Sequence, residues 1–223
     1  LIYARPGQTI AAWRRELDEA LKLAGEHLSL YQLTIEPGTA FATLARRGEL
    51  AMPEEEQSAL MFEATQDRLG AAGLPAYEIS NHARPGSECR HNLAYWRYQD
   101  YVGIGPGAHG RLSQGAAKIA SRQYRLPEKW LAAVEGVGTG LEETVAIDRE
   151  TAIEEALMMG LRLVEGVPLR RLERLAGRGA DTLFSRNLAR LIDGGFLTFD
   201  SERLTATAAG RQRLSAVLAA LLG

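Results

Sequence analysis

LIYARPGQTIAAWRRELDEALKLAGEHLSLYQLTIEPG, residues 1–38, sets one amphipathic stretch between two short apolar runs. LIYA closes at Pro6 and Gly7, and Thr9 stands where a helix N-cap belongs. Ile10, Trp13, Leu17, Leu21 and Ala24 then recur at helical spacing, with Arg14, Arg15, Glu16 and Asp18 between them. The second run, HLSLYQLTI over 27–35, stops at the turn signal Glu36-Pro37-Gly38. Strand, helix and strand in so short a span predict a βαβ unit and a parallel sheet. Both runs are apolar enough to predict strands buried on both faces. A strand at residue 1 with nothing before it to pair with predicts a sequence that begins partway through a domain.

The next stretch extends the pattern. Pro53 fits a first helical position, and Glu54, Glu55 and Glu56 suit the positive end of a helix dipole. That helix is predicted to end near Leu69 and Gly70, and PAYEIS (75–80) reads as a further strand. Residues 113–147 read as a connector with one short helix from Pro127, and GVGTG (136–140) as a boundary within it. From 148 the sequence turns to Leu, Ala and Arg at helical spacing. Helices are expected near 149–163, 168–176, 181–193 and 207–222, with FLTFD and RLTAT as a hairpin between the last two. The fold class is therefore α/β: successive β/α units over 1–112, a connector, and a small, mostly helical, winged-helix-like domain over 148–223.

Composition narrows the function classes. The 223 residues carry a net charge of −2, which argues against nucleic-acid binding through bulk charge. Residues 160–223 hold ten Arg and six acidic residues, so a DNA-reading helix in TLFSRNLARLID is weighed against a solvated packing face. No apolar run approaches the roughly 20 residues that span a bilayer. A single cysteine, Cys89, leaves no internal disulfide and makes the cytoplasm the expected compartment.

Chemistry concentrates in ECRHNLAYWRYQDYVGIGPGAHG, residues 88–110. If RHNLAYWR is helical, His91 and Tyr95 share one face, and Asn92 and Trp96 the next. An imidazole, two flat rings, an amide and the flanking Arg90 and Arg97 would suit a haem: an axial ligand, an apolar wall and cations for propionates. The competing reading is an aromatic-rich helix that plugs a sheet, with His91 hydrogen-bonded in a core. Cys89 is either a thiolate ligand or a small buried hydrophobe. Alone it cannot hold an iron–sulfur cluster, which takes three or four cysteines. The glycines of GIGPGAHG form either a tight turn or a loop over a cofactor with His109 pointing inward. No helix is predicted to start there, which excludes a dinucleotide fingerprint. His82 and Glu78 fit no zinc spacing.

The order IYARPGQT, LSLYQLTIEPGT, YEISNHARPG and CRHNLAYWRYQDYVGIGPGAHG resembles the radical S-adenosylmethionine (SAM) proteins related to oxygen-independent coproporphyrinogen III oxidase. LTIEPGT and HNxxYW are the specific motifs, and the likeness covers nearly the whole chain. HNxxYW marks the haem-chaperone branch. The resemblance implies the C-terminal part of a radical SAM partial barrel, followed by a smaller domain. The CxxxCxxC and glycine-rich motifs that open such a barrel are not in this sequence. The resemblance therefore implies a [4Fe-4S] cluster and SAM in the full-length protein, with no cluster ligands and no catalysis from this chain alone. It places haem at His91, Asn92, Tyr95 and Trp96, with Cys89 beside them and His91 as the iron ligand. It places Ile2, Thr34 and His109 around SAM at barrel strand ends. It implies haem-accepting partners, membrane-associated respiratory enzymes among them, and no nucleic acid. The rival it leaves is oxidative decarboxylation of coproporphyrinogen III. One departure is Ala4-Arg5, where the family has Gly-Leu; Arg5 is expected to face the cofactor loops.

Overall fold

The computed structural model describes residues 1–115, 117–177, 179 and 186–223, in two compact units, Leu1–Cys89 and Arg90–Gly223. The division falls just before the HNxxYW segment, whereas the sequence reading carried that segment with the first part.

In the first unit, β1 (Ile2–Tyr3) leads to α1 (Ile10–Leu23), whose first turn is capped by Thr9 accepting from the Ala12 N–H. The apolar run after it is one extended segment that changes partner around Leu30. Its first half, β2 (His27–Ser29), pairs antiparallel with β4 (Asn81–Ala83). Its second half, β3 (Tyr31–Gln32), pairs parallel with β1. The predicted βαβ unit is therefore present.

The expected burial of both strand faces is not. Tyr3 and Leu30 are buried, but Ile2 and Tyr31, partners in register, are 47% and 49% exposed. The covered side is supplied by α1 and by α3 (Glu55–Ala71). There Tyr3 stacks on Trp13 at 5.3 Å, and Leu17, Met61, Leu69 and Leu74 complete the core. Each such side chain contributes about 1.5–3 kcal/mol by leaving water. The buried Trp13 indole donates to Thr65 Oγ1 at 2.8 Å, so its polar atom enters the core satisfied.

Three local expectations are corrected. A short helix, α2 (Ala40–Arg46), capped by Thr39, precedes α3 and carried no apolar periodicity to reveal it. Pro53 lies outside α3, which starts at Glu55 with Glu54 as N-cap and runs through Gly70 to Ala71. PAYEIS is a turn, with the strand only at Asn81–Ala83. The chain doubles back so that Ala83 N–H reaches Pro75 O at 3.1 Å and Tyr77 N–H reaches Asn81 O at 3.1 Å. The buried Glu78 carboxylate holds this turn, accepting from Ser80 N–H at 2.8 Å and Asn81 Nδ2 at 2.5 Å. That reversal is why β4 arrives antiparallel.

The second unit opens with α4 (Arg90–Trp96). The stretch read as a connector is a three-stranded antiparallel meander, β5 (His109–Gln114), β6 (Ala117–Gln123) and β7 (Leu141–Ile147), in that order. Helix α5 (Pro127–Val137) crosses between β6 and β7. Next comes α6 (Arg149–Gly160), capped by Asp148, which accepts from the Thr151 N–H at 2.9 Å. Then follow β8 (Val167–Pro168), α7 (Leu169–Ala176), α8 (Arg186–Asp193), β9 (Leu197–Phe199) and β10 (Arg203–Ala206). The expected hairpin is β9–β10, widened by β8 on its other side.

Of the predicted helix 181–193, residues 181–185 lie outside the described residues. The predicted terminal helix is two, α9 (Ala208–Gln212) and α10 (Leu214–Leu222), broken at Arg213. Leu157, Leu161, Leu163, Leu172, Leu197 and Leu204 form this part's core. Gly166, at φ +66°, lets the chain pass Leu204, whose carbonyl oxygen stands 2.3 Å from where a Cβ would sit.

Candidate functional site

Helix α4 presents the HNxxYW residues as the spacing predicts. The His91 and Tyr95 rings meet edge to face, with centroids 4.7 Å apart and planes at 86°. His91 is exposed, while Asn92, Tyr95 and Trp96 are half-buried. The Arg162 guanidinium lies over the Trp96 ring at 4.5 Å, a cation–π contact. Trp96 Nε1 is buried without a hydrogen-bond partner among the described residues. Arg97, expected to attract a carboxylate ligand, already holds one: its Nε and Nη2 donate to Glu165 at 2.8 and 3.0 Å. Chiefly because of Arg97, the Glu165 carboxyl sits below the usual carboxylate range. Arg90 is exposed.

Past α4 the chain reverses at Tyr98, which adopts φ +48° and is buried. Tyr101 then pairs with Arg111 through both backbone bonds, at 2.8 and 2.9 Å, and its ring meets the Tyr95 ring at 4.4 Å and 66°. Beneath it, Glu155 on α6 accepts from Arg111 at 3.0 and 2.8 Å and from the Tyr98 hydroxyl at 2.6 Å. Burial pushes the Tyr101 phenol up, against the pull of the Arg111 cation. Tyr101, Arg111 and Glu155 were not read from the sequence. Tyr101 lies beyond the helix, and Glu155 is 44 residues from Arg111, so no local spacing relates them.

The GIGPGAHG glycines serve the loop itself. A Cβ on Gly103 would lie 2.3 Å from the His109 carbonyl oxygen, and one on Gly110 would lie 2.5 Å from Ser121 Oγ. Gly107 N–H donates to Tyr124 O at 2.8 Å, which ties the loop to the end of β6, and Ile104 is left 84% exposed at its tip. His109 is exposed at the start of β5.

In the first unit, Ile2 lies on the open face of β1. Thr34 is exposed, with its hydroxyl 3.4 Å from Glu36 Oε1. Arg5, expected to face cofactor loops, is instead paired with Glu16 of α1 at 2.5 and 2.7 Å. His82 is buried and held between Leu74 O and Gln66, and burial pushes it down to about 4, so it is neutral. Cys89, half-buried, ends this unit. Among the described residues no group of three His, Cys, Asp and Glu side chains is placed to hold a metal ion.

Comparison with known proteins finds matches along the chain. Residues 147–213 match the HemN C-terminal domain. The chain is 34% identical to Heme chaperone HemW of Bacillus subtilis (strain 168), over 100% of this chain and 58% of that protein. It is 33% identical to the mitochondrial radical S-adenosyl methionine domain-containing protein 1 of Danio rerio, over 100% of this chain and 52% of that one. The chain thus spans about half the length of these relatives. Its fold is that of coproporphyrinogen III oxidase (HemN) from Escherichia coli, a radical SAM enzyme: TM-score 0.72 at 19% identity, over 99% of this chain and 53% of that one.

Proposed function

Since the chain belongs to the radical SAM family that contains HemW and HemN, we propose that its protein binds haem on α4 and hands it to haem-requiring proteins. The observation that carries this reading is the exposed imidazole of His91, held edge to face against Tyr95 on a helix whose other motif residues are half-buried. Haem iron needs one accessible side-chain ligand, and the porphyrin needs flat apolar surface. His91 meets the first need, and Tyr95 with Trp96 the second. Asn92 borders the patch, Cys89 directly precedes the helix in the sequence, and Arg90 is the exposed cation beside it for a propionate, since Glu165 occupies Arg97.

Ile2 and Thr34 are proposed contacts to SAM: Ile2 is exposed on β1, and Thr34 is exposed just past the C-terminal end of β3, the end at which a barrel of this class binds its ligands. His109, exposed at the start of β5, is proposed as a further contact. A [4Fe-4S] cluster does not fit the residues of this chain, whose single cysteine falls short of the three or four thiolates required. No helix among the described residues is long and apolar enough to cross a membrane. We place the haem transfer in the cytoplasm on a separate ground, the single cysteine that leaves no internal disulfide.

Titration of haemin into the protein, followed by the Soret band, tests this reading with wild type beside His91→Ala. Near-stoichiometric binding is expected, weakened about tenfold or more by the substitution, a loss of about 1.4 kcal/mol or greater. Absence of a haemin-dependent Soret shift in the wild type overturns the carrier reading. Coproporphyrinogen III decarboxylation then becomes the activity to assay.

A further inference from the structure

We propose that Tyr101, outside the HNxxYW motif, is a positioning residue for His91, the third ring of a ladder His91–Tyr95–Tyr101 that sets the imidazole from the sheet. The inference rests on the haem reading above. An exposed histidine on a helix of seven residues would ordinarily sample several rotamers. Here its ring edge is fixed by Tyr95 at 4.7 Å, and Tyr95 is fixed in turn by Tyr101 at 4.4 Å. Both contacts are tilted toward the perpendicular, at 86° and 66°, the arrangement that ring quadrupoles favour.

Tyr101 can act as an anchor because its backbone is bound on both sides to Arg111 of β5, at 2.8 and 2.9 Å. Arg111 is itself held by two bonds to Glu155 of α6. The same carboxylate takes the hydroxyl of Tyr98, the residue whose left-handed turn brings the chain back. The ladder thus runs from a sheet and a second helix outward to the exposed imidazole. Preorganised support of this kind fixes the orientation of a ligating ring, and its removal commonly costs ten- to hundredfold in affinity.

The test compares Tyr101→Leu with Tyr101→Phe. The ladder contact is ring on ring, so Phe is expected to keep it and Leu to break it. Haemin affinity should fall about tenfold in Tyr101→Leu and stay near wild type in Tyr101→Phe. Without haemin, the His91 ring-proton resonances should move toward those of an unrestrained histidine in the Leu variant only. Haemin binding by the wild type, with unchanged His91 resonances and affinity in Tyr101→Leu, overturns the role of Tyr101 alone. Failure of the wild type to bind haemin overturns the haem reading and the proposed role with it. If Tyr101→Leu does not fold, Tyr101→Met fills the site with a flexible apolar chain and carries the same comparison.

Discussion

Arg111 and Glu155 meet at two points, Nε and Nη2 each donating to a different carboxylate oxygen, with both side chains less than a fifth exposed. The Tyr98 hydroxyl adds a third bond to the same carboxylate. The Arg111 hydrogen bond is the main cause that holds the Glu155 carboxyl below its ordinary range. A carboxylate depressed in the folded state stabilises it above the ordinary carboxylate range, and that stability is lost as pH falls through the folded value. Glu155→Gln should therefore cost about 1–2 kcal/mol at pH 7, and progressively less as the medium is acidified. Urea unfolding of both proteins at neutral and acidic pH measures this. A cost unchanged by acid would mean that the charge contributes nothing.

The buried His82 acts in the same direction by a different route. Burial pushes its imidazole down to about 4, below the 6.5 of an unfolded histidine. The unfolded chain takes up the proton first, so this stability is complete above about pH 6.5 and drains away toward pH 4. By pH 5 the loss should reach about 2 kcal/mol. His82→Phe keeps an aromatic ring in the core and removes the titration. Its urea midpoint should fall less than that of wild type between pH 7.5 and 5. Parallel falls would place the acid sensitivity elsewhere.

Ala4 is a departure with a physical cost. Its φ is +56°, the left-handed region, and it is 1% exposed at the end of β1. The resemblance gives glycine at this place, the one residue for which that conformation is free of Cβ strain. Ala4→Gly should raise stability by about 0.5–1 kcal/mol, after allowance for the greater freedom of glycine in the unfolded chain. A lower melting temperature would show that the methyl group packs for more than its strain costs.

Much of the first unit was legible because its signals are local. Thr9, Trp13 and Leu17 announce a capped helix with one buried face, and the structure has it at Ile10–Leu23. PAYEIS misled because its alternation is apolar in composition, while Glu78 turns inward to hold Ser80 and Asn81. The β5–β6–β7 meander was missed because LEETVAI, strand β7, is exposed along nearly its whole length and shows no buried alternation. At the site, helical spacing sufficed for His91 and Tyr95. Tyr101 reaches Tyr95 only through the turn at Tyr98, and Glu155 reaches Tyr98 across 57 residues. Relationships set by tertiary closure leave no period in the sequence.

Two kinds of glycine follow the motif helix, one in the loop directly after it and one in α5. Gly103 is buried, and a Cβ there would lie 2.3 Å from the His109 carbonyl oxygen and 2.8 Å from its nitrogen. Backbone atoms cannot rotate away as a side chain does, so the loop must open or the strand must shift. Gly103→Ala should cost about 2 kcal/mol or more. Gly136, near the end of α5, has nothing within 4 Å of the same added methyl group. Gly136→Ala should gain about 0.5–1 kcal/mol, the difference in helix propensity. Since about 1 kcal/mol moves the midpoint of a chain this size by roughly 2–4 °C, thermal melts resolve both signs. If Gly103→Ala melted with the wild type, the close approach of the loop to His109 would be dispensable. The ring-proton resonances of His109 in that variant would then show whether the start of β5 had moved to make room.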